Sequence, residues 1–183
     1  LSLLTANGYE CWVIDPIVMT SDENVRHFSS INIFFEFAME SNLRTSEIIV
    51  VIATWGPDHV PQLKEFVNAG FFQFLIEKPI AQNLDEARDS LELLDKSNVS
   101  IFCNYQRNIG ETFLNLANQI ANLKVRGPFT VTAWFTGSFL NIGSHFISLF
   151  LLLFPEIDYG RYVGFFNRNT LTLQNNSVTI YLI

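Results

Sequence analysis

The stretch LIEKPIAQNLDEA, residues 75–87, decides how the chain is read. An apolar run, FFQFLIE (71–77), ends on Glu77, Lys78 and Pro79, two charges and a residue with no backbone N–H. Such residues are poor core material, so the run reads as a buried strand whose carboxyl end reaches the surface. A helix opens directly afterwards, with Asn83 as its cap and Asp85 and Glu86 in its first turn, where acids complement the helix dipole. Working outward, YECWVID (9–15), EIIVVIAT (47–54) and NVSIFCN (98–104) are further strand-like runs. Nearly continuous apolar strands are what a parallel sheet covered on both faces requires. PDHVPQLKEFVNAG (57–70), stopped by Gly70, and NLDEARDSLELLDKSN (83–98) supply helices between them. Leu84, Ala87, Leu91 and Leu94 recur at helical spacing and predict the face that packs on the sheet. Strand and helix alternating in this way give an α/β class with a doubly wound parallel sheet.

After residue 104 the texture changes. RNIGETFLNLANQIANL (107–123) predicts one amphipathic helix, FTVTAWF (129–135) alternates as a strand, and a second helix is expected from about Asn141 to Phe154. YVGFFN (162–167) and LTLQNNSVTIYLI (171–183) read as antiparallel strands joined by polar turns. The expected organisation is therefore residues 1–104 as a doubly wound α/β domain, N-terminally incomplete, and 105–183 as an α+β domain with antiparallel strands, C-terminally incomplete. The chain begins on Leu1 and stops inside a strand, and it reads as a piece of a longer protein.

Composition narrows the function classes. With 183 residues, 49% of them hydrophobic, the chain can bury a sizeable core. Eleven basic against eighteen acidic residues give a net charge of -7, which disfavours nucleic acid and anionic membrane surfaces and favours a small-molecule partner. Cys11 and Cys103 lie far apart inside apolar runs, so neither a disulfide framework nor a metal site is expected. Free thiols of this kind, and a first segment without the basic head and cleavage site of a signal, fit the cytoplasm. FISLFLLLF (146–154) is too short to span a bilayer and reads as a core helix.

Ligands of open parallel sheets bind outside the carboxyl ends of the strands, and three such ends carry polar residues here. Lys78 follows one of them. Asp15 ends another, where an acid can bond the ribose hydroxyls of a dinucleotide and repel a 2'-phosphate, favouring NAD over NADP. Thr54, Gly56 and Pro57 follow a third. An ordinary reading stands beside each: a solvated lysine before a helix, and a turn aspartate before Pro16. Asn141 and His145 sit four residues apart on one predicted helical face. A lone histidine on an apolar helix is commonly a core residue, yet imidazole is also the side chain best suited to take a hydroxyl proton near neutral pH. His59 lies in a first helical turn near the same edge, and His27 lies in a polar segment with no evident partner.

VVIATWGPDHVPQLKEFVNAG (50–70), FLIEKPIAQNLDEA (74–87), NVSIFCNYQRN (98–108) and NIGSHFISLFLLLF (141–154), in this order and spacing, resemble the Gfo/Idh/MocA family of NAD(P)-dependent sugar and cyclitol dehydrogenases. The Glu-Lys-Pro tripeptide is the most specific element, and the likeness is strongest from 47 to 107. The resemblance implies a Rossmann domain followed by a domain whose open sheet mediates homo-oligomers, and a small sugar-like substrate. It implies that Lys78 holds the substrate hydroxyl and that His145 accepts its proton. Asn141, Arg107 and Tyr105 would contact substrate, with Arg107 suited to a carboxylate or phosphate. Asp15, Ala53, Thr54, His59, Glu77, Lys78, Pro79 and Gln106 would border the NAD site. The sequence also departs from the pattern. The glycine-rich turn expected about twenty residues before Asp15 would precede Leu1, so this piece alone is expected to bind NAD weakly and to be inactive. Asn141 stands where many members have aspartate, and Ser148 stands where an acid is common. Those two substitutions would also mark a non-catalytic relative that binds a nucleotide or a protein, or an inactive remnant, which is the alternative reading.

Overall fold

The computed structural model describes residues 2–17, 24–122, 129–137, 139–154, 165–167, 170–174 and 178–182. A short helix α1 (Ser2–Ala6) leads into strand β1 (Cys11–Ile14), which pairs in parallel with β2 (Val25–Phe28). Helix α2 (Ile31–Glu40) follows, its first turn closed by Ser30, whose hydroxyl accepts from the Ile33 N–H. Then come β3 (Val50–Ile52), α3 (His59–Asn68), β4 (Gln73–Ile76), α4 (Leu84–Ser97) and β5 (Ser100–Cys103). Strands β3, β4 and β5 form a parallel sheet in that order. Among the described residues, β1 is laddered only to β2, and β3 only to β4. An apolar groove of about 140 Å³ lies between them, lined by Trp12 and Ile14 on one side and Val50, Val51 and Ile52 on the other.

The helix signals are borne out in detail at α4. The Asn83 side chain accepts from the Glu86 N–H at 2.9 Å, and the Glu86 carboxylate reaches back to the Gln82 N–H at 2.9 Å. Helix α3 stops at Gly70, whose φ of +87° is open to glycine at little cost and strained for other residues. The buried face of α4 is not the one its leucines suggest: Leu84 and Leu91 are exposed, and Ser90 is buried with Leu93 packed on the core. Ser90 turns its hydroxyl onto the Glu86 carbonyl at 2.7 Å, so a small, internally satisfied residue meets the neighbouring layer where the leucine stripe was expected. The segment before β3, with no clear sequence signal, supplies β2 and α2.

One face of β3 and β4, carrying Val50, Ile52, Phe74 and Ile76, joins Phe28, Phe34, Leu63, Phe66 and Phe71 in one core, while Val51 and Phe102 on the opposite face are exposed, so the expected cover on both faces is not seen among the described residues. The core is unusually aromatic, with Phe66 and Phe71 edge to face at 5.4 Å and Phe28 and Phe34 likewise at 5.4 Å. Leu63 on α3 is 0% exposed. Leu63→Ala is expected to cost about 3 kcal/mol, transfer and cavity together, read from the midpoint of urea unfolding.

Beyond β5 the predicted single helix is broken in two by Gly110: α5 (Gln106–Ile109) and α6 (Glu111–Asn122). Strand β6 (Phe129–Ala133) is followed by a π-helical turn at Phe139–Gly143 that runs into α7 (Ser144–Leu153). The expected helix from Asn141 therefore begins with wider turns. The last strands, β7 (Phe165–Asn167), β8 (Thr170–Gln174) and β9 (Val178–Leu182), make antiparallel pairs, and β9 also pairs in parallel with β6. The sheet order is β6-β9-β8-β7. A second core of Ala133, Leu149, Phe150 and Leu153 lies between α7 and β6, with Phe113, Ala117 and Ile120 of α6 against it. No helix among the described residues is long and apolar enough to cross a membrane.

Candidate active site

The carboxyl ends of β3, β4 and β5 are tied to one another by groups that leave Lys78 projecting. Strand β4 keeps its ladder to the last residue, with the Glu77 N–H donating to the Ile52 carbonyl at 2.9 Å. The Glu77 carboxylate then accepts from the Asn104 amide at the end of β5. Two residues on, the Pro79 carbonyl faces His59 Nδ1 at 2.9 Å, while His59 Nε2 lies 3.0 Å from the Thr54 carbonyl. The acid and the proline are thus engaged with the scaffold on either side of the lysine, and the Lys78–Pro79 bond is cis.

Lys78 Nζ donates to the Asn141 side-chain oxygen and, at 3.2 Å, to the Asn141 carbonyl. The strand end of the parallel sheet and the π turn before α7 therefore meet at this pair. One turn further, the His145 ring stands edge to face with Tyr105, centroids 5.6 Å apart. Arg107 lies over the Phe146 ring at 5.5 Å. Lys78, Asn141, Tyr105 and His145 are brought together, with Arg107 beside them. Ala53 and Thr54 are exposed at the end of β3, and Gln106 is exposed at the start of α5.

His59 is 1% exposed, and both ring nitrogens face backbone carbonyls. It ties the loop after β3 to the loop after β4 and has no free edge to offer a ligand. Asp15 lies at the end of β1, where one carboxylate oxygen accepts from the Ile17 N–H at 2.8 Å in a turn-closing bond. His27 has a partner after all, the Asp15 carbonyl at 2.6 Å from its Nε2.

Two further contacts escaped the sequence reading. The Asn108 amide donates to the Ser148 hydroxyl at 2.6 Å, pinning α5 to α7 beneath His145. Ser148 is only 8% exposed, so at this position the chain has a buried helix clamp. Asn104 braces Glu77, and its signal was visible as a polar residue closing an apolar strand.

The GFO_IDH_MocA family model, described as an oxidoreductase family with an NAD-binding Rossmann fold, matches residues 14–105. The chain belongs to this family. No curated protein matches it in sequence. Solved structures share its fold. The WlbA (WbpB) dehydrogenase from Thermus thermophilus in complex with NAD and alpha-ketoglutarate aligns with a TM-score of 0.70 at 16% identity, over 99% of this chain and 66% of that one. The same dehydrogenase with NAD and UDP-GlcNAcA gives 0.70 at 17%, over 99% and 67%. An oxidoreductase from Pseudomonas syringae gives 0.67 at 17%, over 84% and 48%. The chain thus spans about two thirds or less of the length of these structures.

In this Gfo/Idh/MocA chain the electrostatics of the site separate its titratable groups. Burial lowers the His145 pKa below its ordinary 6.5, and the Arg107 and Lys78 charges lower it further, with Glu77 opposing. His145 is therefore neutral at pH 7 and free to accept a proton. Its Nδ1 is buried with no hydrogen-bond partner among the described residues. Burial, followed by the Glu77 charge, pushes the Cys103 thiol up to about 11, so it stays protonated and unreactive near neutrality. Burial likewise raises the Tyr105 phenol. If His145 is the proton acceptor, kcat/KM should be flat at neutral pH and fall only as pH drops through a midpoint below 6.5, because protonation removes the acceptor. A midpoint above 6.5 in a pH-rate profile would contradict that assignment.

Proposed function

We propose that the full-length protein is an NAD-dependent oxidoreductase that interconverts a secondary alcohol and a ketone on a sugar, sugar nucleotide or cyclitol. The observation that carries this reading is the meeting of Lys78, at a strand end of the NAD-binding fold, with Asn141 and the neutral His145 around α7. In this reading Lys78 donates to the reacting oxygen and stabilises the negative charge that develops there. His145 takes the hydroxyl proton. Tyr105 sets the plane of the His145 ring, and Asn141 holds the Lys78 ammonium in place without neutralising it.

The residues at the strand ends fit a dinucleotide. The ends of β1, β3 and β4 carry Asp15, the exposed pair Ala53 and Thr54, and the segment Glu77–Pro79. Asp15 would meet the adenosine ribose and favour NAD over NADP. His59 and Glu77 would act by fixing the loops that border it, and Gln106 by lining its rim. When bound, NAD supplies a hydride acceptor. UDP-GlcNAcA bound to a dehydrogenase of the same fold supports sugar nucleotides as the first class to try. The division at residues 104 and 105, a homo-oligomer built on the β6-β9-β8-β7 sheet and a cytoplasmic setting belong to the same proposal.

The test is a panel of hexoses, uronates, cyclitols and UDP-sugars, with NAD reduction followed by absorbance. Substrate-dependent reduction supports the reading. Saturable NADH binding with no turnover across the panel would favour a non-catalytic binder, for which the neutral Asn141 is the structural argument.

A further inference from the structure

A neutral imidazole accepts a proton at only one ring nitrogen, because the other carries the N–H. Which nitrogen does which is set by the hydrogen bond made on the side away from the reaction. In His145 that side is Nδ1, which is closed to solvent and has no partner among the described residues. A second such atom is the Asn108 side-chain oxygen. The two residues lie where α5 meets α7. The Asn108 amide nitrogen donates to Ser148 Oγ at 2.6 Å, and Ser148 follows His145 by three residues, the spacing of neighbours on one helix face. The third unpartnered atom, Ser144 Oγ, precedes His145 in the chain but faces the Tyr105 phenol. An enclosed N–H without an acceptor and an enclosed amide oxygen without a donor are each costly, and here each is what the other lacks.

We propose that Asn108 is the positioning residue for His145: its side-chain oxygen accepts the Nδ1–H, directly or through one bridging water, and so leaves the Nε2 lone pair to take the hydroxyl proton. This rests on the reading of His145 as the proton acceptor and adds the residue that prepares it. Hydrogen bonds of this kind are often long without substrate and tighten in the complex. Ser148 has a defined part. By accepting from the amide nitrogen it turns the amide oxygen the other way, toward the ring. With the amide reversed, its nitrogen would donate to Nδ1 and put the ring proton on Nε2, where it blocks acceptance. Asn108 is neutral, so it fixes the tautomer without adding a charge. The charged groups acting on the ring remain Arg107 and Lys78, with Glu77 opposing, and the Tyr105 ring is set edge to face against it.

The test reads the ring itself, by long-range proton–nitrogen NMR of the histidines in the full-length protein with NADH bound, titrated with pH. The His145 signals are identified by their loss in His145→Gln. Above its titration midpoint, wild-type His145 should carry its proton on Nδ1 and its lone pair on Nε2. Asn108→Leu, close in size but unable to accept, should shift the ring to mainly the Nε2–H form and lower kcat by about tenfold to a hundredfold, with KM changed less than about threefold. Asn108→Asp keeps an acceptor and adds a charge. It should keep the Nδ1–H form and move the His145 midpoint to higher pH, because a carboxylate beside the imidazole stabilises its protonated form. A role confined to packing α5 on α7 would leave the tautomer of Asn108→Leu as in wild type. The proton on Nε2 in wild type overturns the proposal, as does an Nδ1–H form that survives in Asn108→Leu. An unmoved midpoint in Asn108→Asp overturns it too, and decides the matter if Asn108→Leu does not fold. The NMR readout needs no substrate, so an absence of turnover in the substrate panel would end the oxidoreductase reading without touching this result.

Discussion

Lys78→Ala in the full-length protein should lower kcat by about a thousandfold while changing the NAD dissociation constant only a few-fold. The asymmetry follows from where the ammonium sits. It lies beyond the last ladder bond of β4 and reaches across to Asn141, so it stands at the junction of strand end and helix. Negative charge develops on the reacting oxygen only as the proton and hydride leave, and a preorganised cation at that point stabilises the transition state more than the ground state. Removing a single such donor typically costs a hundredfold to a thousandfold, about 3–4 kcal/mol, and a full charge belongs at the upper end. Lys78→Met, which keeps most of the stem, separates packing from charge, and an intact circular dichroism spectrum shows that the strand end still folds. Turnover within threefold of wild type in either variant would remove Lys78 from the mechanism.

The second large effect is expected at His145. His145→Ala should lower kcat/KM by about a hundredfold to ten-thousandfold at neutral pH, the usual range for a positioned general base. The ring is held edge to face by Tyr105, and α7, which carries it, is pinned to α5 by the Asn108–Ser148 bond. Burial and the two nearby cations keep it neutral. Part of the lost rate should return as pH is raised in the variant, because solvent hydroxide can substitute for the missing base. A variant whose rate and pH profile both match wild type would mean that the imidazole is a core residue, as lone histidines on apolar helices often are.

Much of this arrangement was legible in the residues themselves. The parallel strands announced themselves as unbroken apolar runs, and the break at Glu77-Lys78-Pro79 marked the carboxyl end of a strand because two charges and a proline are costly inside one. The cap at Asn83 and the stop at Gly70 were equally direct. The misses have physical causes. Strand β2 carries Arg26 and His27, which read as a polar segment until the pairing with β1 and the Asp15 carbonyl gives them a place. The Leu84 and Leu91 stripe has ideal spacing, yet which face of a helix is buried depends on tertiary packing that one helix cannot encode. Gly110 splits a periodic pattern that continues on both sides of it, so periodicity alone predicts one helix. The π turn before α7 leaves no trace in composition. The contacts that assemble the site, Lys78 with Asn141 and Asn108 with Ser148, span 63 and 40 residues and lie beyond any local signal.

The proposed reaction is a direct hydride transfer at a carbinol carbon beside Lys78 and His145. Its most direct test uses the full-length protein, NAD and a substrate carrying deuterium on that carbon, with the reduced nicotinamide analysed by mass spectrometry and NMR. The label should appear on one face of the nicotinamide C4, together with a slower turnover for the labelled substrate. Label retained on the substrate carbon, or lost to solvent while the cofactor stays unlabelled, would contradict it.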